Sequence, residues 1–323
     1  MMRRLLFAAG LALSVVSAQA AAQAVYPAKP VSVVVPFPPG GVVDILGRLL
    51  ADKMGTLLGG RMIVENRPGA GGTIGAAAVA KAAPDGYTIL VGGAATHVFS
   101  PLIYPSVPYD PLKSFAPIGQ ATSGPLVLVV PQNSSVRSFA DFRDYVQREG
   151  DKLSYASNGA GTFPHLAAEL YRMQTGARFV HVPYSGGAQA MVAVTTGEVG
   201  FSINHIPNVV ALVKSGSVRA IATTGKARSS SFPALPTFAE SGMADFETSA
   251  WFGLFAPAGT PAGIVDRLRE AMVKALQAPE LGSKLASQGD EPVGSSPREL
   301  AAYVEAEIRK WSPVMKAAGI KVQ

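Results

Sequence analysis

Stretches of β-branched residues alternate with helical spacing along almost the whole chain, and this rhythm restricts the fold more than anything else in the sequence. Apolar runs at 31–35, 62–65 and 88–91 are separated by helical patterns at 44–54 and 74–82, a βαβαβ order. Parallel strands joined by helices bury both faces, so the pattern predicts an α/β fold with a mostly parallel sheet flanked by helices. The rhythm resumes with strands at 126–130, 153–156, 179–182, 199–203 and 218–222, and helices at 139–147, 165–174, 188–196 and 208–214. A Ser/Pro-rich stretch at 227–236 leads to an aromatic strand at 250–255 and to helices at 261–276 and 298–315. The first of these helices opens behind Thr260, with Pro261 at its first position.

The apolar strands at 126–130 and 218–222 bracket one complete α/β block, and each is placed to carry the chain between two lobes. We expect a first lobe of residues 25–125 and 225–323, and a second of residues 126–224 that includes both crossings. Two crossings leave a cleft walled by strand-to-helix loops, where open α/β sheets bind ligands.

Residues 1–24 read as a secretory signal peptide. Arg3 and Arg4 precede an apolar run at 5–16, shorter than the roughly 20 residues of a membrane span. Ala18-Gln19-Ala20 and Ala22-Gln23-Ala24 both fit the small-residue cleavage pattern, so the cut falls after Ala20 or Ala24, and the expected compartment is the periplasm. The chain has no cysteine, which excludes disulfides, thiolate metal sites and cysteine nucleophiles. Loss of Arg3 and Arg4 lowers the basic count from 28 to 26 against 22 acids, so the net charge falls from +6 to +4. The basic residues are scattered, which argues against nucleic acid as a partner.

Two glycine loops carry the chemistry. Phe37, Pro38, Pro39, Gly40 and Gly41 lie between the first strand and a helix whose first turn holds Asp44. Backbone N–H groups at a helix start form an anion site without a charged side chain. In the second lobe Ser157, Asn158, Gly159, Gly161 and Thr162, followed by His165, again link a strand to a helix; hydroxyls and bare amides there suit a carboxylate. Gly93, Ala94 and Thr96, and then Tyr184, Gly186 and Asn204, follow other strands on the same edges. All of these are candidate ligand contacts, whereas Trp251 and Phe252 are expected in the first lobe's core. No metal site and no cofactor are expected, since His97, His165, His181 and His205 form no ligand spacing. The run 69–75 misses the dinucleotide fingerprint by placing Ile74 at the third glycine, and no P-loop or G-x-S-x-G elbow occurs.

Several strings together resemble a known family. They include Val35-Pro36-Phe37-Pro38-Pro39-Gly40-Gly41, Glu65-Asn66-Arg67-Pro68-Gly69-Ala70-Gly71-Gly72, Ala83-Pro84-Asp85-Gly86-Tyr87, Tyr155-Ala156-Ser157-Asn158-Gly159, His181-Val182-Pro183-Tyr184 and Trp251-Phe252-Gly253-Leu254-Phe255-Ala256-Pro257. In this order they resemble the Bug, or TctC-like, substrate-binding proteins of tripartite tricarboxylate transporters, over residues 26–320. The resemblance implies a type II periplasmic binding fold that closes on its ligand, a monomer, and no enzymatic activity. It also implies a small organic acid held by the loop from Phe37 to Gly41 through backbone groups and waters, and two membrane subunits as partners. A periplasmic sensing role in a signalling system would use the same closed shape.

Two departures from the family pattern bear on the ligand. Val42 and Val43 replace a hydroxyl-bearing pair, and a neutral Asn204 stands where some members carry an acid. An ammonium buried without a charge partner is costly, so Asn204 points to an amine-free dicarboxylate or aromatic acid.

Overall fold

Residues 26–104 and 106–320 are described by the structure, a computed structural model. The expected leader at 1–24 lies outside them. The first sheet is built on β1 (Val31–Val35), which pairs in parallel with β2 (Met62–Asn66) and β3 (Thr88–Gly93). Alternation along these strands sends side chains to opposite faces. Val33, Val35, Ile89 and Val91 meet Leu46, Leu50 and Met54 of α1 (Val42–Leu58), while Val34 and Leu90 meet Ala76 and Val79 of α2 (Thr73–Ala80). Each fully buried aliphatic side chain contributes ~1.5 to 3 kcal/mol. After β3 a π-helical turn, Ala95–Phe99, runs into the short α3 (Ser100–Ile103).

The crossing to the second sheet is one long strand. β4 (Phe115–Pro131) pairs along its first part with β9 (Ser249–Pro257) and along its last part with β7 (Phe201–His205) and β8 (Val218–Thr223). The apolar run at 126–130 is therefore only the second half of the crossing strand. Its first half, Phe115 to Pro125, has Pro and Gly breaks in sequence, and the ladder takes them up as irregularities at Pro117/Gly119 and Gln120/Thr122. In the second sheet β5 (Ser154–Ser157) pairs in parallel with β6 (Val180–Pro183) and β7. α4 (Phe139–Glu149), α5 (Phe163–Thr175), α6 (Gly187–Thr196) and α7 (Ile206–Lys214) flank it. Ser138 and Asp141 cap α4 reciprocally. Each sheet keeps a parallel set of strands and is mixed, with β9 in the first and β4 in the second running against it.

The return crossing lies later than the expected boundary at 224/225. After β8 the chain stays on the second sheet: Thr223 bridges Thr237, Phe238 stacks on Phe246 at 4.4 Å, and Phe238 meets Phe139 of α4 at 4.7 Å. Thr248 N–H then bonds the Thr224 carbonyl just before β9 begins. Residues 237–248 thus pack with the second lobe, because Phe238 and Phe246, just past the Ser/Pro-rich stretch, find their core there. α8 (Ala262–Leu276) completes the first sheet's α1 face. α9 (Pro279–Ser287) and the two-residue β10 (Glu291–Pro292) lead to α10 (Pro297–Ala317), capped by Ser296 and Glu299.

α10 straddles the lobes. The Trp311 ring lies 5.8 Å from Phe99 in the first lobe and 6.0 Å from Phe163 in the second, and those two rings are 4.8 Å apart. Buried Glu307 accepts from the indoles of Trp311 (2.9 Å) and Trp251 (3.3 Å) and pairs with Lys310. Burial raises the Glu307 carboxyl and the Lys310 charge opposes it.

Candidate functional site

Between the two sheets lies a cavity of about 470 Å³. Phe37, Val42, Val43, Ala94, Trp251 and Phe252 wall it from the first lobe, and Gly161, Thr162, Phe163, His205 and Asn208 from the second. Gly124 and Pro125 of the crossing strand, with Gln288, Gly289 and Asp290 behind α9, complete the wall. Trp251 is fully buried from solvent, as expected, yet it also lines this space. Among the lining residues only His205 and Asp290 carry titratable side chains, and none is Lys or Arg.

The α1 wall is organised by an internal anion. Gly40 has φ +84, a left-handed conformation that glycine adopts without strain, and its N–H donates to Asp44 Oδ2 at 2.9 Å. Asp44 also accepts from Arg48 Nε at 3.0 Å and Asn66 Nδ2 at 2.8 Å, and these donors hold its carboxyl down to about 2. Asn66 Nδ2 reaches the Phe37 carbonyl as well, at 3.0 Å, which ties the proline loop to β2. The first helical bond of α1 runs from Ile45 N–H to the Gly41 carbonyl, at 3.0 Å. The N–H groups of Val42, Val43 and Asp44 therefore have no helical acceptor, and the first two belong to cavity-lining residues. Val42 and Val43 offer apolar walls and bare amides.

The second loop is largely satisfied from within. Ser157 Oγ contacts His181 Nε2 at 2.6 Å and accepts from Gly159 N–H at 3.1 Å, while the Thr162 hydroxyl donates to the Gly159 carbonyl at 2.7 Å. Gly161 N–H donates to His165 Nδ1 at 2.9 Å, so His165 carries its proton on Nε2, which faces buried Glu169 at 3.9 Å. His165 and His181 stack at 4.0 Å, and burial pushes both down to about 4, so both are neutral near pH 7. Burial likewise takes His205 down to about 4.

The expected contacts separate into groups. Phe37, Gly93, Ala94, Gly161 and Thr162 line the cavity, while Pro38, Pro39, Gly40 and Gly41 form the exposed turn leading into α1. Thr96 is fully buried, its hydroxyl engaged by Gly93 and His97. Ser157, Asn158, Gly159 and His165 support the second loop from behind. Tyr184 lies off the cavity, donating to Glu198 at 3.0 Å, and Gly186 precedes α6 on that side. Asn204 is fully buried; it exchanges hydrogen bonds with Asn158 and accepts from Asn208. Its neutrality therefore says little about a guest's charge, and the argument for an amine-free ligand loses that support. Val42, Val43, Phe99, Phe163, Gln288 and Asp290 were not among the candidates. Val42 and Val43 stood out only as a departure from the family pattern, Phe99 and Phe163 read as ordinary core apolar residues, and Gln288 and Asp290 follow a helix that the periodicity did not reveal.

Among the described residues no group of three His, Asp or Glu is placed to hold a metal ion. A family model described as "Tripartite tricarboxylate transporter family receptor" matches residues 46–320. Protein BugT of Bordetella pertussis is 36% identical over 324 residues, 100% of this chain and 99% of BugT. R. palustris Rpa4515, solved with adipate, is similar at 36% identity and TM-score 0.72, covering 92% of this chain and 99% of that one. MatC from Rhodopseudomonas palustris, solved with bound malate, is similar at 34% identity and TM-score 0.68, covering 90% and 99%.

Proposed function

This chain belongs to the receptor family of tripartite tricarboxylate transporters, and from that premise we propose that its cavity captures a small organic carboxylate in the periplasm for delivery to the membrane subunits of such a transporter. The reading is of a monomeric binding protein without catalytic activity, exported by the leader at 1–24.

The observation that carries it is the start of α1 in the cavity wall, where Val42 and Val43 present N–H groups without helical acceptors and no basic side chain competes for an anion. A carboxylate there is held by directed hydrogen bonds, with the helix dipole adding ~0.3 to 1 kcal/mol. The aromatic walls suit the carbon skeleton. The adipate and malate of the two similar structures make dicarboxylates natural first probes. Micromolar binding is worth about 8 kcal/mol, within reach of a few charge-assisted bonds at ~1.5 to 3 kcal/mol each together with apolar burial.

Closure then works through the aromatic joint. Phe163 begins α5 directly after the second loop and touches Phe99 and Trp311, so movement of the second lobe toward a guest is felt at that ring cluster. Calorimetry with adipate, malate and benzoate tests the capture step. Saturable binding of at least one acid supports it, and heats indistinguishable from dilution for all three, with the protein folded, overturn it.

A further inference from the structure

The cavity's chemistry is uneven, and the uneven part is its wall at 288–290. Asp290 is 4% exposed, and its Oδ2 has no hydrogen-bond partner; the Oε1 of Gln288, in the same wall, is also buried without one. Backbone closes around this carboxyl, since a Cβ at Gly124 would lie 2.5 Å from Asp290 Oδ1. The neighbouring Glu291 is occupied elsewhere, its Oε1 accepting from the Ser230 N–H and hydroxyl at 2.8 and 2.6 Å. Two donors in the lining are engaged elsewhere, Asn208 Nδ2 by Asn204 and the Thr162 hydroxyl by Gly159, and neither reaches these oxygens. Two buried acceptors without partners therefore stand in the wall of an aromatic cavity. Buried acceptors left unpaired are destabilising, and an ionised carboxyl in such a place calls for a cation. Burial, with repulsion from Glu291, already pushes the Asp290 carboxyl up to about 7, so a cation beside it would be needed to hold it fully charged.

We propose that Asp290, assisted by Gln288, receives a positively charged nitrogen on the guest, so that the cavity selects organic acids carrying an ammonium as well as a carboxylate. This rests on the reading of the cavity as a carboxylate site. The α1 amides take the negative end, and the wall at 288–290 takes the positive end. An ammonium offers three donors, enough for both orphaned oxygens.

The test uses matched probes: 6-aminohexanoate against hexanoate and adipate, and 4-(aminomethyl)benzoate against 4-methylbenzoate, titrated calorimetrically into wild type, Asp290→Asn and Gln288→Met, each first shown to melt cooperatively. Wild type binds the amino acid of a set at least about tenfold tighter than its amine-free counterparts, as a desolvated charge pair requires. Asp290→Asn removes that preference, and Gln288→Met weakens it. Equal affinities within each set, or a preference that survives Asp290→Asn, overturn the proposal. So does tighter adipate binding on acidification that Asp290→Asn abolishes, since the carboxyl would then be donating a proton to a second carboxylate. Failure of every acid, with or without an amine, contradicts the carboxylate reading itself.

Discussion

Asp44 Oδ2 lies 2.9 Å from the amide nitrogen of Gly40, so the first carboxylate at the start of α1 belongs to the protein. It is anchored by Arg48 and Asn66 and is 3% exposed. The Gly40 amide is thereby engaged, and the N–H groups without a helical acceptor are those of the following residues, among them Val42 and Val43. The internal anion sets the shape of the loop.

Replacing Asp44 by Ala leaves the Gly40 amide and the Asn66 side chain without their acceptor and should destabilise the protein by about 2 kcal/mol, from the lost charge-assisted bonds. The pH dependence has a definite sign. A carboxyl depressed to about 2 contributes stability that is complete above its unfolded value of 3.8 and is lost as pH falls through about 2. Urea melts of wild type and Asp44→Ala should differ at pH 7 and converge on acidification.

Val43→Asp places a fixed negative charge beside the amides assigned to the ligand. Like charges at close range cost several kcal/mol, so acid binding should weaken by roughly a hundredfold or more, while the melting temperature stays near that of wild type because Val43 is only half-buried. Calorimetry and a thermal melt on one preparation check both halves.

Asp290 behaves in the opposite sense to Asp44. Its carboxyl is raised from 3.8 to about 7, so its contribution is fully present below pH ~4 and is lost as pH rises through about 7. Glu291 is the acid beside it, and His205 is the other titratable side chain in the cavity wall. Asp290→Asn should therefore melt higher than wild type at pH 8, with the gap closing toward pH 4. A melting curve at each pH for the two proteins measures it, in the absence of any acid ligand.

Trp311→Ala removes the ring that joins Phe99 to Phe163 and one of the donors to buried Glu307. Large-to-small changes of this kind cost ~3 to 5 kcal/mol. The loss should be visible by calorimetric unfolding, and acid affinity should change in the same variant, since the joint between the lobes is loosened.

The sequence made the α/β rhythm legible because strand and helix periods are local. Nearly every strand from β1 to β9 lies within a residue or two of its apolar run. The first half of β4 was not legible, because Pro117, Gly119, Gly124 and Pro125 break the pattern that its pairing with β9 restores. Nor was the return crossing: Phe238 and Phe246 stand just past a Ser/Pro-rich stretch that says loop, while their packing on Phe139 and Tyr171 is a long-range fact. In the site, the glycine loops announced themselves by composition, and Phe37, Gly161 and Thr162 line the cavity. Asp290 gave no signal, since one acid after a helix resembles any surface acid until the cavity behind it is seen. Asn204 gave a misleading one, because its partners Asn158 and Asn208 come together only through the β5–β7 pairing and the turn into α7.

The most direct test of the account is a crystal structure of the protein with the tightest acid from the calorimetric panel. The account predicts the guest between the two sheets, a carboxylate oxygen within hydrogen-bond distance of the Val42 and Val43 nitrogens, and Phe37 and Trp251 against its skeleton. A guest bound outside this cavity, or one inside it whose carboxylate faces away from the start of α1, would contradict the account.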